Sequence, residues 1–366
     1  MIAQDHVAVT HASLQNALAQ GAPVWDDLMR RAGCSSPFMS WAWHRAWLDT
    51  APSEEAAANE VLALHDVDGS LQAILPIQRC RMRFRGVSVR AVTWAIGDIG
   101  CPDELDVPLL PDADLPALTS ALEALPWDII VLPNLAAEAQ NARRLATTLA
   151  GRGHGVRVEP LWSCPQLELP SRWDDYLSQL SANRRQILRR KERSLSRDHA
   201  VSLVDYDAQT LDEGWRHLLE LHERRWSGAG GGAFHQPRAL SLQRQFAGEM
   251  ARQQRLWLTT LNVDGRPVAA WYGFVSADTV YFYQGGRDPH WQRESVGLVL
   301  MSSMIQRAIA QGYRKFNFLR GDDEYKRAWT PAPRATEELV VFRSGLKGGA
   351  LRVLDTVAAF RGRAAE

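Results

Sequence analysis

Tyr281–Trp329 reads YFYQGGRDPHWQRESVGLVLMSSMIQRAIAQGYRKFNFLRGDDEYKRAW, and its pattern decides the fold class. The aromatic and β-branched residues from Thr279 to Gly286 predict a strand ending in Gln284-Gly285-Gly286. A polar connection follows, and an apolar periodic run predicts a helix from about Ser295 to Gln311. KFNFLRG, from Lys315, predicts the next strand, and Asp322-Asp323-Glu324 marks a helix start. Linked strand and helix signals of this kind predict an α/β protein (mixed α+β), with a central mixed sheet flanked by helices.

Upstream, LWLTTLNVDGRPVAAWYGF (Leu256 to Phe274) reads as two strands around an Asp-Gly turn. Helices are expected over about 208–226 and 237–253, joined by the glycine-rich GAGGGAFHQP. Downstream, EELVVFRSG reads as a late strand of this half, and ALRVLDTVAAFRGRAAE as a terminal helix. The first half repeats the order. Helical sequence over 24–50 precedes VLALHDVDGSLQAILPIQR, again a hairpin around Asp68-Gly69. VSVRAVTWAIG, a short helix, the apolar strand WDIIVLPNL, a longer helix and GVRVEP follow. Val-Asp-Gly recurs at 67–69 and 263–265, with flanking apolar runs that align without a gap. The recurrence predicts a tandem duplication: a first domain over 1–160, a linker over 161–172, a second domain over 173–345 and a C-terminal helix over 346–366. The linker contains PQLELP, whose LELP reads as a connecting strand, and Ser171 is expected to cap the helix after it.

The 366 residues carry 42 Lys plus Arg against 42 Asp plus Glu, so no global field attracts nucleic acid or an anionic membrane. Cys34, Cys80, Cys101 and Cys164 are far apart and form no CxxC pair, which argues against zinc and fits a reducing compartment. MIAQDHVAVTHASLQ is not a signal peptide, and no apolar run approaches a membrane span; a cytoplasmic location is the expectation. Trp41, Trp43 and Trp47 crowd SWAWHRAWLDT, either filling a core or forming an aromatic acceptor platform.

From Trp173 onward, WDDYLSQLSANRRQILRRKERSL, ELHERRW, VDGRPVAAWYGF and the Tyr281–Trp329 stretch occur in order. In this order they resemble the acetyltransferase domain described as BioF2-like or CelD-like, within the GNAT superfamily. That group is related to the Fem-type aminoacyltransferases, which have two GNAT-like domains in tandem. The resemblance covers roughly half the chain; the first half resembles a degenerate first domain in outline only. It implies an N- or O-acyltransferase that uses acyl-CoA as co-substrate and binds no tight cofactor. The acceptor it implies is a small molecule or a saccharide, in cell-surface polysaccharide synthesis beside envelope machinery. In Fem-type relatives the donor is an aminoacyl-tRNA, the one route by which nucleic acid would become a partner. A non-catalytic GNAT-fold scaffold in such a complex is the third reading.

GNAT enzymes of the usual type carry Gln or Arg, two residues, Gly, one residue, then Gly or Ala before the helix that binds the donor. Here Gln292, Arg293, Glu294, Ser295, Val296 and Gly297 match in part, with serine at the first glycine position. Gln284, Gln292, Arg293, Ser295, Val296 and Gly297 are the donor-binding candidates, Ser295 as a helix cap able to reach a phosphate. Gly297 serves either ligand approach or close helix packing. The family has a tyrosine after the fifth strand that protonates the leaving thiolate; Tyr325 occupies that place, either as general acid or as a packed ring. Asp322 and Glu324 either follow the helix dipole or handle the acceptor's proton. Lys326 either holds a phosphate or carboxylate or fixes its own loop. His222, Arg225 and Trp226 are acceptor-site candidates, His222 and Trp226 one helical turn apart. Gly228–Gly232 reads as a lid or a plain surface loop. The absence of a GxSxG favours direct transfer in a ternary complex over an acyl-enzyme. Asn183–His199 is strongly basic, either a solvated helix, a surface for an anionic substrate or cofactor, or a contact for RNA or a membrane.

Overall fold

The computed structural model describes residues 8–226, 234–330 and 334–363. The chain forms two compact units: Met1–Trp162 with Ala335–Glu366, and Ser163–Arg334. Each is a mixed sheet flanked by helices, as the repeated pattern predicts.

In the first unit, β1 (Ala8–Ser13), α1 (Leu14–Leu18), α2 (Ala22–Arg31), α3 (Trp41–Thr50) and α4 (Ser53–Ala57) lead into β2 (Asn59–His65), β3 (Leu71–Phe84) and β4 (Val87–Trp94). Then come α5 (Leu115–Ala124), β5 (Ile129–Leu135), α6 (Gln140–Gly151) and β6 (Gly155–Ser163). Trp43 and Trp47 are buried in the core, and Trp41 Nε1 donates to the Leu18 carbonyl at 2.8 Å. The tryptophan-rich helix is therefore core, not a platform. β4 and β5 pair in parallel over only Ala91–Ile129 and Val92–Ile130. Beyond that point the chain fills its own gap: Leu105 bridges to Leu135 and Leu109 to Ala73. Trp94 Nε1 also donates to the Pro133 carbonyl at 2.9 Å.

In the second unit, β7 (Gln166–Glu168), α7 (Trp173–Gln179), α8 (Ala182–Asp198) and β8 (Val201–Asp205) precede α9 (Leu211–Trp226) and α10 (Pro237–Arg252). β9 (Leu256–Val263), β10 (Arg266–Ser276) and β11 (Thr279–Arg287) form a meander, followed by α11 (Val296–Ala310), β12 (Lys315–Asn317) and α12 (Glu324–Arg327). The sheet order is β7-β12-β11-β10-β9-β8. Asp264 and Gly265 both take positive φ, 50° and 78°, as a two-residue hairpin with right-twisted strands requires. β10 is buried along almost its whole length because helices cover both faces of the sheet. The main core, built around Trp271, Phe282, Met304, Phe316 and Trp329, lies between the sheet and α11.

Three expectations need correction. The late strand expected to finish the second domain is β13 (Ala335–Phe342), and it pairs antiparallel with β5 of the first sheet. It sits there between β5 and β6, followed by α13 (Leu346–Arg363). Its apolar residues suit either sheet, so local pattern could not choose. The linker strand, in turn, joins the second sheet: β7 pairs with β12. Ser171 is not the N-cap of α7; Arg172 takes that position, without a side-chain cap, and Ser181 caps α8 by accepting from Arg184 N at 3.2 Å. Among the described residues no helix is long and apolar enough to cross a membrane.

Candidate active site

The site forms because two parallel strands part. β11 and β12 pair only at Thr279–Lys315, Val280–Phe316 and Tyr281–Asn317, yet β11 runs on to Arg287. β12 stops because Leu319 takes φ 55°, a left-handed turn that carries the chain away towards α12. Past the last pair lies a cavity of about 270 Å³, walled by Trp271, Phe282, Gly285, Leu298 and Met301. Arg184, Arg225, Arg287, Gly297, Tyr325 and Trp329 complete its lining, and among the described residues no carboxylate contributes.

The three guanidiniums come from three elements. Arg184 of α8 lies over the Trp329 ring, 4.8 Å from its centroid, and its buried Nε has no partner among the described residues. Burial holds Arg184 below the usual arginine range. Arg287 at the end of β11 is lowered likewise by burial, and by the Arg225 guanidinium. Arg225 of α9 donates to the Gly285 carbonyl at 3.3 Å and covers the Tyr325 ring at 5.5 Å. Like charges gathered in a partly dry cavity cost free energy unless an anion joins them.

Tyr325 is pushed up to about 12 by burial, with Arg225 opposing the shift. It therefore stays a phenol at neutral pH, able to donate a hydrogen bond or a proton. Gly297 faces the cavity in the second position of α11, and a Cβ there would meet only Arg287 Cδ at 3.6 Å. Packing alone does not demand a glycine at this position. Ser295, at the family's glycine position, is left-handed at φ 60° and makes no side-chain cap. That conformation suits glycine better than serine. The first N–H groups of α11 lack helical partners, as at any helix start.

Arg225, Gly297 and Tyr325 are thus brought together, and the other sequence candidates lie elsewhere. Gln292 and Arg293 are exposed before α11, the Arg293 carbonyl accepting from Lys191. Val296 is a core residue, and Gln284 lies half-buried opposite Tyr272. Asp322 and Glu324 are exposed, Asp322 paired with Arg327 at 3.0 Å. The Lys326 ammonium is buried and donates to the carbonyls of Arg320 (2.6 Å) and Leu319 (3.3 Å), fastening the turn after β12. Gly228–Gly232 lies outside the described residues. Sequence reading missed Arg184 and Arg287. Arg184 sat in a basic run with no sign of which cation turned inward; Arg287 directly follows the glycine pair and offered a position signal.

Neither His222 nor Trp226 is among the cavity's lining residues, although the Trp226 ring lies 5.1 Å from the Arg225 guanidinium that is. The His222 ring packs 4.9 Å from Phe234 and 6.2 Å from Trp226, and its Nε2 is buried without a partner among the described residues. Burial, then the nearby Arg225 charge, lowers its pKa to about 4. Burial likewise lowers His44 of the first unit to about 4. Each folded pKa lies below the free value of about 6.5, so the unfolded chain binds more protons between the two. Stability is fully present above about pH 6.5 and falls as pH drops towards about 4, each histidine costing up to about 1.4 kcal/mol per pH step of one. Urea titrations at pH 7 and pH 4.5 should show the loss, smaller in a His222→Gln variant. An unchanged pH slope in that variant would exclude a neutral buried His222.

Residues 182–327 match the family model described as an acetyltransferase (GNAT) domain. No curated protein matches the chain. Among solved structures, it is similar to the C-terminal domain of a putative lysylphosphatidylglycerol synthetase from Agrobacterium fabrum. That match has 13% identity and a TM-score of 0.53, covering 93% of this chain and 97% of that one. It is also similar to L-PGS from Bacillus licheniformis, at 12% identity and TM-score 0.53, covering 92% and 96%. FemX matches at 9% identity and TM-score 0.51, covering 84% and 92%. Identities this low speak for fold alone. Two similar mixed sheets, a parallel split in the second and the matched domain together give the chain a GNAT-superfamily, acetyltransferase-like fold.

Proposed function

We propose that the second unit transfers an acyl group from acyl-CoA directly to an amine or hydroxyl acceptor. The observation that carries this reading is the cavity at the strand split, with Arg184, Arg225 and Arg287 on its wall and no carboxylate among its described lining residues. A thioester donor is an anion with a long amide-bearing arm. The arm enters the split, where the free edge of β11 beyond Tyr281 offers peptide groups to its amides. The guanidiniums and the start of α11 meet its phosphates. The acceptor nucleophile attacks the carbonyl, the C–S bond breaks, Tyr325 gives its proton to the thiolate, and the proton lost by the acceptor restores the phenol, directly or through solvent. A sugar amine or hydroxyl is the acceptor we favour, in a reducing compartment that suits a chain with four scattered cysteines and no CxxC pair.

Calorimetric titration with acetyl-CoA and with CoA, at low and high salt, tests the donor. We expect micromolar binding, weakened about tenfold or more by Gly297→Phe, which fills the cavity, and by Arg287→Ala. Absence of binding to both ligands would overturn the acyl-CoA reading.

A second donor is favoured by one observation: α8 carries exposed Arg189, Arg190 and Arg193 beside the inward-facing Arg184. If CoA does not bind, an aminoacyl group carried on RNA becomes the reading. A short RNA duplex should then bind with an affinity that falls steeply as salt rises.

A further inference from the structure

A second cavity in the same unit is larger than the one at the split, about 670 Å³. It lies where α9 crosses the turn end of β9 and β10, and its size is ordinary for a small-molecule site. Its lining differs in kind from that of the donor cavity. Glu220 and Arg266 face it, each without an ion-pair partner among the described residues. Arg224 and Asp288 face it as a pair at 2.8 Å, and Asp264 adds a further carboxylate, held by His199 at 2.8 Å. The indole of Trp291 provides a half-exposed aromatic plane.

Two guanidiniums against three carboxylates make a nearly balanced wall that has no preference for a polyanion. It offers donors and acceptors side by side, with one flat apolar surface. A sugar ring needs that combination: hydroxyls that both give and accept hydrogen bonds, and a C–H face that lies on an aromatic ring.

The groove also lies next to the proposed chemistry. Arg224 lines it while Arg225 lines the donor cavity; Asp288 lines it while Arg287 lines the donor cavity. Arg224 and Arg225 are adjacent on α9, and Asp288 directly follows Arg287, the last residue of β11. The two cavities therefore flank the same ends of α9 and β11.

Building on the acyl-transfer reading, we propose that this groove binds the non-reacting part of a saccharide acceptor, with Trp291 as stacking platform and Glu220 and Arg266 as hydroxyl-binding groups. A saccharide seated there starts one residue away from the donor cavity along both α9 and β11.

The test is calorimetric titration of the full chain with maltotriose, cellotriose and chitotriose, without donor. At least one should bind at about 1 mM or tighter. Trp291→Ala should weaken that binding about tenfold, and Glu220→Gln and Arg266→Ala about fivefold each, with CoA affinity unchanged. Glu220 and Arg266 are surface positions, so their variants keep the test valid if Trp291→Ala fails to fold. No binding of any of the three sugars, or binding indifferent to Glu220→Gln and Arg266→Ala, would overturn the proposal. Saccharide binding is read without turnover, so its failure leaves acyl transfer standing. Loss of the CoA result leaves the groove standing.

Discussion

Replacing Gly286 by alanine is expected to cost the second unit about 3 kcal/mol or more, or to prevent its folding. A Cβ at that position would lie 2.3 Å from His222 N and 2.4 Å from the Leu221 carbonyl carbon. Both are backbone atoms of α9, so no side chain can turn aside. The helix would have to lift from β11. That movement would displace Arg225 from the Gly285 carbonyl and from the Tyr325 ring. The same alanine at Gly297 meets only Arg287 Cδ at 3.6 Å and should leave the melting curve nearly unchanged. Chemical denaturation of the two variants beside the parent protein makes the comparison. A Gly286→Ala protein as stable as the parent would mean that α9 does not seat on β11 this closely.

Tyr325→Phe should lower acyl transfer by about 10²–10³-fold while changing donor affinity by less than about twofold. A thiol ionises near 8.5, and Tyr325 is pushed up to about 12, so full proton transfer in the cavity is uphill by roughly 3–4 on the pH scale. That gap is about 5 kcal/mol. It narrows when the guanidinium of Arg225 stabilises the phenolate, the direction in which that residue already acts. On the proposed mechanism the phenol acts at the moment of C–S cleavage, so its loss is expected to fall on rate and hardly on binding. Thiol release from acetyl-CoA in the presence of an acceptor measures the rate, and calorimetry measures the affinity. Equal losses in rate and affinity would make Tyr325 a donor-binding residue. A matching fall in stability would make it a packing residue of the core it touches.

Local pattern determined much of this protein. The Asp-Gly turns, the apolar run of β10 and the periodic helix α11 are set by side chains a few residues apart, where sequence spacing translates directly into facing. β8 escaped notice because it is a half-exposed edge strand, with too little apolar alternation to announce itself. The position of Tyr325 after β12 was legible for the same local reason, as was the glycine at 297.

Only the tertiary structure decided which of the two parallel splits is open. In the first unit the stretch around Leu105–Leu109 fills the gap beyond β4; in the second, β11 and β12 part around a cavity. It also sent β13 to the first sheet and β7 to the second, since an apolar strand carries no mark of its partner. The three guanidiniums of the site come from residues 184, 225 and 287, which nothing in the linear order connects. Lys326, sequence neighbour of Tyr325, turns instead into its own loop. Contacts between residues distant in sequence depend on how helices and strands pack in three dimensions, and spacing along the chain does not encode that packing.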